Sequence, residues 1–501
     1  MLTFSRPPAR ANKPTTVPSQ LAFLDFVVAV RHNVDVMKYV DLFAGCGGLS
    51  LGIERAGGEL VVAVEKSDMA ARTFFHNLVD DASDLHAWNQ YVASPVEEQV
   101  RRGVLVRELN VLLGQDSLMD NLAAEGIDLV VGGPPCQGFS LAGRRDSEDV
   151  RNKLPWEYLE FVARTRPKAV VIENVVGMNQ KFSSQDESSF VQLQLALART
   201  EPGYTVQGVQ VNAMHYGAPQ HRPRLMIIAV RSDIAASKGI ESTGKLWKSD
   251  FLDKLSHPLP DLAPVPTVSS ADVRTVAQAI SDLSPHAPRG NGPANKDYRR
   301  QMRHPEWKLR LKPGPEEHNH VPRNHAARTT ERFRLYQYLA KSGLDQRIIS
   351  RAAMLSESDA ALYVKTQLVD APLPALAPDG TELATSVDEL CQLVQKLATK
   401  KHSQKVLGWS QPARTVVTLP DDYVHPVEPR IFTVREMARF QGFPAAFEFL
   451  GKETTGAHRR RVEVPQYSQV GNAVSPWLSL AVGNRIAALL GEKRSEGTDR
   501  P

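Results

Sequence analysis

Cysteine is scarce in this chain of 501 residues: Cys46, Cys136 and Cys391 are the only three. They show no paired spacing, which excludes a disulfide framework and the common zinc signatures and implies a reducing, cytoplasmic compartment. Net charge is nearly absent as well. At +4 at pH 7 the whole chain has no field that would mark a nucleic-acid partner. Long apolar runs are also missing. The stretch from Leu21 to Val30 follows Arg6, Arg10 and Lys13 like the apolar part of a signal peptide, but it contains Asp25 and is too short to span a bilayer. No GxGxxG pattern occurs, which counts against a nicotinamide-dependent dehydrogenase. What remains is an ordinary soluble composition, 42% apolar, with room for more than one domain.

One segment carries chemistry. Gly133-Pro134-Pro135-Cys136-Gln137-Gly138-Phe139-Ser140 follows the apolar run that ends at Val131. Two prolines fix φ and remove two backbone donors, so a stiff turn holds the Cys136 thiol outside the end of a strand. A lone cysteine is usually a small buried apolar residue. Set on a rigid turn, Cys136 reads as a nucleophile.

From Lys38 onward, short apolar runs alternate with longer amphipathic stretches, the pattern of a parallel sheet covered by helices. Strands are expected at Tyr39 to Phe43, Leu60 to Val64, Leu129 to Val131 and Ala169 to Ile172. Each is followed by a candidate site group: Gly45, Glu65, Cys136 and Glu173. In open α/β sheets ligands sit beyond the carboxyl ends of strands, so the four converge on one cleft. Arg222 and Arg224 precede their apolar run, Leu225 to Val230, as an antiparallel strand beside Val209 to Asn212 requires if both are to face the same cleft. Gly45, Gly47 and Gly48 let backbone amides approach a ligand ahead of a helix starting near Leu49. Glu65 is suited to accept from two ribose hydroxyls.

Together with this turn, Asp41 to Ser50, Glu173-Asn174-Val175, Tyr216 to Arg224, Arg430 to Pro444 and Gln469 to Val474 resemble, in order, motifs of the DNA (cytosine-5) methyltransferase family. The resemblance covers Lys38 to about Val230 and about Arg414 to Leu490. It implies a Rossmann-like class I methyltransferase α/β sheet with a smaller target-recognition domain. It also implies S-adenosylmethionine as cofactor, with S-adenosylhomocysteine as product and no metal, and double-stranded DNA as partner. By the same resemblance, Phe43, Ala44, Gly45, Gly47, Gly48, Leu49, Glu65, Pro134, Asn472 and Val474 would hold the cofactor. Cys136 would add to cytosine C6, Glu173 would serve the N3 edge with a raised pKa, and Arg224 with Arg222 would hold the O2 edge. The family's acid for the cofactor adenine has no clear match, since neither Glu108 nor Asp116 fits.

The expected organisation is a Pro-rich leader at 1–37, a catalytic domain at 38–230, a recognition insert at 231–413, a return segment at 414–490 that completes the catalytic domain, and a tail at 491–501. Within the insert, Thr330 to Lys341 and Ser386 to Lys401 read as helices, and Leu478 to Leu490 reads as a helix in the return segment. Between Arg289 and Arg334 there are twelve Lys or Arg against five Asp or Glu, with Tyr298, Trp307 and Phe333 among them. Lys308, Arg310 and Lys312, together with Gln137 and Ser140 beside the nucleophile, are therefore the DNA-contact candidates. His304, His318, His320 and His325 fit no metal-ligand spacing and read as solvent or phosphate contacts. The chain is expected to be a monomer, cytoplasmic and nucleoid-associated, serving a bacterial restriction-modification or phage-defence system. Related enzymes that methylate cytosine in transfer RNA share the catalytic motifs, and the long insert favours DNA. A binding protein on a methyltransferase scaffold would show a broken cysteine, acid or cofactor loop, and all three are intact.

Overall fold

Eight strands form the central sheet: β1 (Met37–Leu42), β2 (Gly58–Val64), β3 (Val104–Leu105), β4 (Leu129–Gly132), β5 (Ala169–Asn174), β6 (Tyr204–Asn212), β7 (Pro223–Arg231) and β8 (Trp247–Lys248). Their spatial order is β3-β2-β1-β4-β5-β7-β6-β8. All neighbours pair in parallel except β7, which runs antiparallel to both β5 and β6. The chain steps outward from β1 in one direction through β2 and β3 and in the other through β4 and β5. The switch point therefore lies between β1 and β4, where an open α/β sheet binds its ligand. The structure is a computed structural model. It describes residues 36–135, 153–180, 187–255, 258–287, 293–314, 317–456, 459 and 462–491. From Met37 on the chain forms one compact unit. Cys136, Gln137, Ser140 and nearly all of the expected leader lie outside the described residues.

The strands are continuously apolar because both faces of the sheet are covered. Val40, Leu42, Val130, Val170, Ile172 and Leu225 pack on one face with Tyr158 and Phe161. Tyr39, Leu129, Val131, Val171 and Met226 pack on the other with Leu49, Ile53, Leu478, Val482 and Ile486. Those partners come from α1 (Gly48–Arg55), which precedes α2 (Asp68–Leu78), from α3 (Leu154–Thr165), and from the closing helix at Pro476–Leu490.

Beyond the sheet, helices at Ala327–Lys341 (α4) and Val387–Leu397 (α5) overlap the expected spans, the first starting earlier and the second ending at Leu397, short of Lys401. They share a hydrophobic cluster of their own, with Leu335, Leu339, Val364, Leu390 and Val394 at its centre. The earlier part of the insert behaves differently. Val276, Ile280, Tyr298, Met302 and Trp307 join Phe432, Met437, Phe440 and Phe443 of the return segment in one core that reaches Leu51 of α1. In that core α6 (Val434–Gln441) opens with a Thr433 and Glu436 capping box and ends at Gly442, φ +84°. Its buried Glu436 takes a two-pronged ion pair from Arg430, and its buried Arg439 pairs with Glu317 of the insert at 2.7 Å. The chain then closes through α7 (Gln466–Asn472) and α8 (Pro476–Leu490), which has proline at its first position.

The sheet differs from the sequence expectation in detail. β5 continues through Glu173 and Asn174, which pair with Met226 and Leu225 of β7, so the acid stands in the last turn of the ladder and not beyond it. β6 is nine residues long and begins at Tyr204. β3 and β8 have two residues each, too few to leave a pattern. Among the described residues, no single helix is long and apolar enough to cross a membrane.

Candidate active site

The loop after β1 is left-handed at Phe43 (φ +60°), Gly45 (φ +57°) and Gly47 (φ +93°). Gly47 caps α1 with no side chain of its own, so the first amides of the helix are left to other partners. Glu65, just past β2, fastens this loop. Its Oε2 accepts from the Gly45 amide at 2.9 Å and its Oε1 from the Ser67 amide at 2.7 Å, while burial raises its pKa. A Cβ on Gly48 would run into the Val474 carbonyl, so glycine here admits the closing segment over the loop. A Cβ on Gly45 would meet nothing within 4 Å. The loop thus offers amides and open space on one side and a carboxylate on the other, which suits an adenosyl cofactor. Ala44 and Leu49 turn their side chains into the cores, so only their backbone faces a ligand. Asn472 is exposed at the end of α7.

Across the switch point, β4 ends at Gly132 and the chain continues through Gly133, Pro134 and Pro135 toward Cys136. Two groups on β5 meet that turn. Asn174 donates from Nδ2 to the Pro134 carbonyl at 2.8 Å, and a Cβ on Gly133 would stand 3.0 Å from Glu173 Oε2. The other Glu173 oxygen, Oε1, takes an ion pair from Arg224 Nε at 2.8 Å, with side chains 11% and 12% exposed. Burial pushes the Glu173 pKa up, ahead of the opposing attraction of Arg224 and then Arg222.

The C-5 cytosine-specific DNA methylase family model matches residues 37–91 and 110–488, most of the chain. The chain belongs to that family. A type II methyltransferase M.DdeI from Desulfomicrobium norvegicum is 27% identical over 452 residues, covering 90% of this chain and 88% of the relative. M.AgeI, a type II methyltransferase from Thalassovita gelatinovora, is 29% identical over 484 residues, covering 90% and 99%. Among solved structures, a putative DNA modification methyltransferase encoded within an E. coli prophage superposes with a TM-score of 0.51 at 19% identity, covering 91% of this chain and all of that one. That likeness shows the fold, including the antiparallel β7. The activity is C5-cytosine DNA methylation, and the family uses S-adenosylmethionine.

In this methyltransferase the two arginines of the Tyr216 to Arg224 segment part company. Arg224 faces Glu173. Arg222, 1% exposed, instead donates to three carbonyls: Val416 at 2.9 Å, Gly471 at 2.7 Å and Ala473 at 2.9 Å. Its Nη1 and Nη2 hold the return segment, while its buried Nε has no hydrogen-bond partner and its charge still acts on Glu173. Gln220 adds to the same clamp, accepting from the Val416 amide at 2.6 Å and donating to Gln441 Oε1 at 2.9 Å.

Within the basic trio, Arg310 is fastened to the rest of the chain. Arg310 donates from Nε to the His76 carbonyl at 2.8 Å and from its amide to the Asn77 carbonyl, and its guanidinium reaches Asp81 at 3.4 Å. Lys308 acts on Glu54, which accepts from Tyr39. Lys312 is exposed. Of the four histidines, His304 is exposed and His320 is half-buried. His320 sits between Thr433 Oγ1 and the Leu283 carbonyl, both at 3.0 Å, and His304 caps a short turn.

Two positioning residues escaped the sequence reading. Asn174 stood inside a quoted motif without a role. Arg274 donates to the Gly217 carbonyl at 2.6 Å and stacks between Tyr298 and Trp477, bracing the segment that carries Arg224. Nothing in its local sequence marks it. Among the described residues, no group of three or more His, Cys, Asp or Glu could hold a metal ion.

Proposed function

We propose that this chain methylates C5 of a cytosine flipped out of double-stranded DNA, through a covalent bond between Cys136 and C6. The observation that carries the proposal is the Glu173 and Arg224 pair, set against the turn that begins at Gly133 and leads to Cys136. S-adenosylmethionine supplies a methyl group on a sulfonium. The glycine loop, Glu65, Pro134, Asn472 and Val474 would hold it, and Glu108, paired with Lys66 at 3.4 Å beyond the ends of β2 and β3, is suited to face its adenine. Asp116 pairs with Arg164 at 2.8 Å.

Cys136 would add to C6 as a thiolate, making C5 an enamine carbon able to attack the methyl group. The addition pushes electron density toward N3, where a protonated Glu173 would donate. Arg224 would steady that carboxyl and hold O2. Loss of the C5 proton would then expel the sulfur. Because a base within a duplex offers neither ring face to a thiol, the target must leave the stack. Residues 231–413 would supply the recognition surface, and the separate core around α4 and α5 supports a folded unit there. Gln137 and Ser140, flanking the thiol, would meet DNA. Service in a restriction-modification system, as a monomer in the cytoplasm, completes the proposal; the type II relatives support the first part.

Radiolabelled S-adenosylmethionine offered with duplex DNA and with transfer RNA in parallel tests the proposal. Label in DNA alone is expected. Label in transfer RNA alone would overturn the choice of substrate.

A further inference from the structure

Asp41 is a buried carboxylate with too few partners. It occupies the fifth position of β1, 1% exposed, between Ala63 of β2 and Val131 of β4. Its Oδ2 accepts from Ser50 Oγ at 2.6 Å, near the start of α1. Its Oδ1 is buried with no hydrogen-bond partner. The titratable groups that act on it or feel it are Glu65 beyond β2, Tyr39 on its own strand, Cys46 in the glycine loop and Tyr158 on α3. None of these is a cation. A buried carboxylate without a positive partner is costly, and burial pushes this one up to about 7. An asparagine of the same shape would avoid that cost, so the charge calls for a reason.

The loop above Asp41 supplies one, if the cofactor reading given above is right. S-adenosylmethionine carries a sulfonium that S-adenosylhomocysteine lacks, and the two are otherwise alike. We propose that Asp41 is a fixed negative charge by which the glycine loop prefers the cationic sulfonium to its neutral thioether product. It acts through the loop as a positioning and specificity residue. Binding the cation favours the ionised carboxylate, so a proton should leave when S-adenosylmethionine binds near neutral pH, and none when the product binds. Glu65 also titrates, but the ribose it is proposed to meet is common to both ligands, so the comparison between them would cancel that effect.

The test is titration calorimetry of the full chain with each ligand at about pH 6 and about pH 8, in buffers of different ionisation enthalpy. Expected are an affinity for S-adenosylmethionine that rises with pH, a flat affinity for S-adenosylhomocysteine, and proton release with the former alone. Asp41→Asn should lower the ratio of the two affinities roughly tenfold and abolish the proton release. Ser50→Ala, which keeps the charge, should preserve the preference. If Asp41→Asn does not fold, the pH series on the wild-type chain decides alone. A shared pH dependence, or equal weakening of both ligands by Asp41→Asn, would overturn the inference and leave the cofactor reading standing. Failure of both ligands to bind would overturn both.

Discussion

Arg224 and Glu173 meet at 2.8 Å on adjacent antiparallel strands, Arg224 one residue into β7 and Glu173 one residue from the end of β5. The reversed direction of β7 makes the pairing possible: a strand that begins where its neighbours end brings a cation to the carboxyl edge from its own first residues. The result is an acid whose proton affinity is raised by burial and restrained by one well-placed guanidinium.

Glu173→Gln should therefore lower kcat by roughly a hundred- to ten-thousandfold, the usual range for losing a general acid, with S-adenosylmethionine binding unchanged by calorimetry. The alkaline limb of the wild-type rate should, against the opposing gain of thiolate at Cys136, fall as Glu173 loses its proton. Its raised pKa has a second consequence. The folded chain holds that proton more tightly than the unfolded chain, so this group's contribution to stability decreases as pH rises from the ordinary glutamate range to the raised value. Glu173→Gln should flatten that part of a stability curve measured by urea unfolding.

Gly48→Ala should weaken cofactor binding by about 1 to 3 kcal/mol, the typical penalty of overpacking a tight contact, because the new methyl meets the Val474 carbonyl. Gly45→Ala has space but a left-handed backbone, and should cost about 1 to 2 kcal/mol of loop stability. Equal affinities for the wild type and Gly48→Ala would show that Val474 does not close on the loop.

Arg222→Met should destabilise the fold. Each of the three carbonyls it serves would lose a donor, at about 1 to 3 kcal/mol for a buried group left without one. Thermal unfolding should show a lower Tm with the S-adenosylmethionine affinity reduced through the displaced Gly471 and Ala473. An unchanged Tm with a selective loss of kcat would restore Arg222 to direct contact with the base.

Arg310→Ala should lower the Tm and leave the salt dependence of DNA binding as it is, since a phosphate contact contributes about one unit of log–log slope and this guanidinium is already held by His76 and Asp81. A shallower slope would return the segment to the DNA interface.

The catalytic half of this chain was legible because its strands are buried on both faces and its reactive groups follow them, so β1, β2, β4 and β5 and the groups at their ends could be read from apolar runs and their tails. Two-residue strands carry no such signal. The clamp made by Arg222 went unseen for a different reason: its acceptors are backbone carbonyls 194 to 251 positions away, and a carbonyl looks the same whatever residue bears it. Charge counting could not foresee the contacts of Arg310 for the same reason, because a tally of lysines and arginines does not separate those that face solvent from those that fasten one segment to another. The buried Arg439 and Glu317 pair belongs to that second class.

The central claim is covalent catalysis by Cys136, and a suicide substrate tests it most directly. Duplex DNA with 5-fluorocytosine at the target position, incubated with the chain and S-adenosylmethionine, should become linked to it in a complex that survives denaturing electrophoresis, because fluorine at C5 cannot leave as a proton does. Cys136→Ala should form no complex while binding cofactor normally, and Cys46→Ala, which removes a thiol buried in the core, should still form it. A complex that persists without Cys136 would contradict the account.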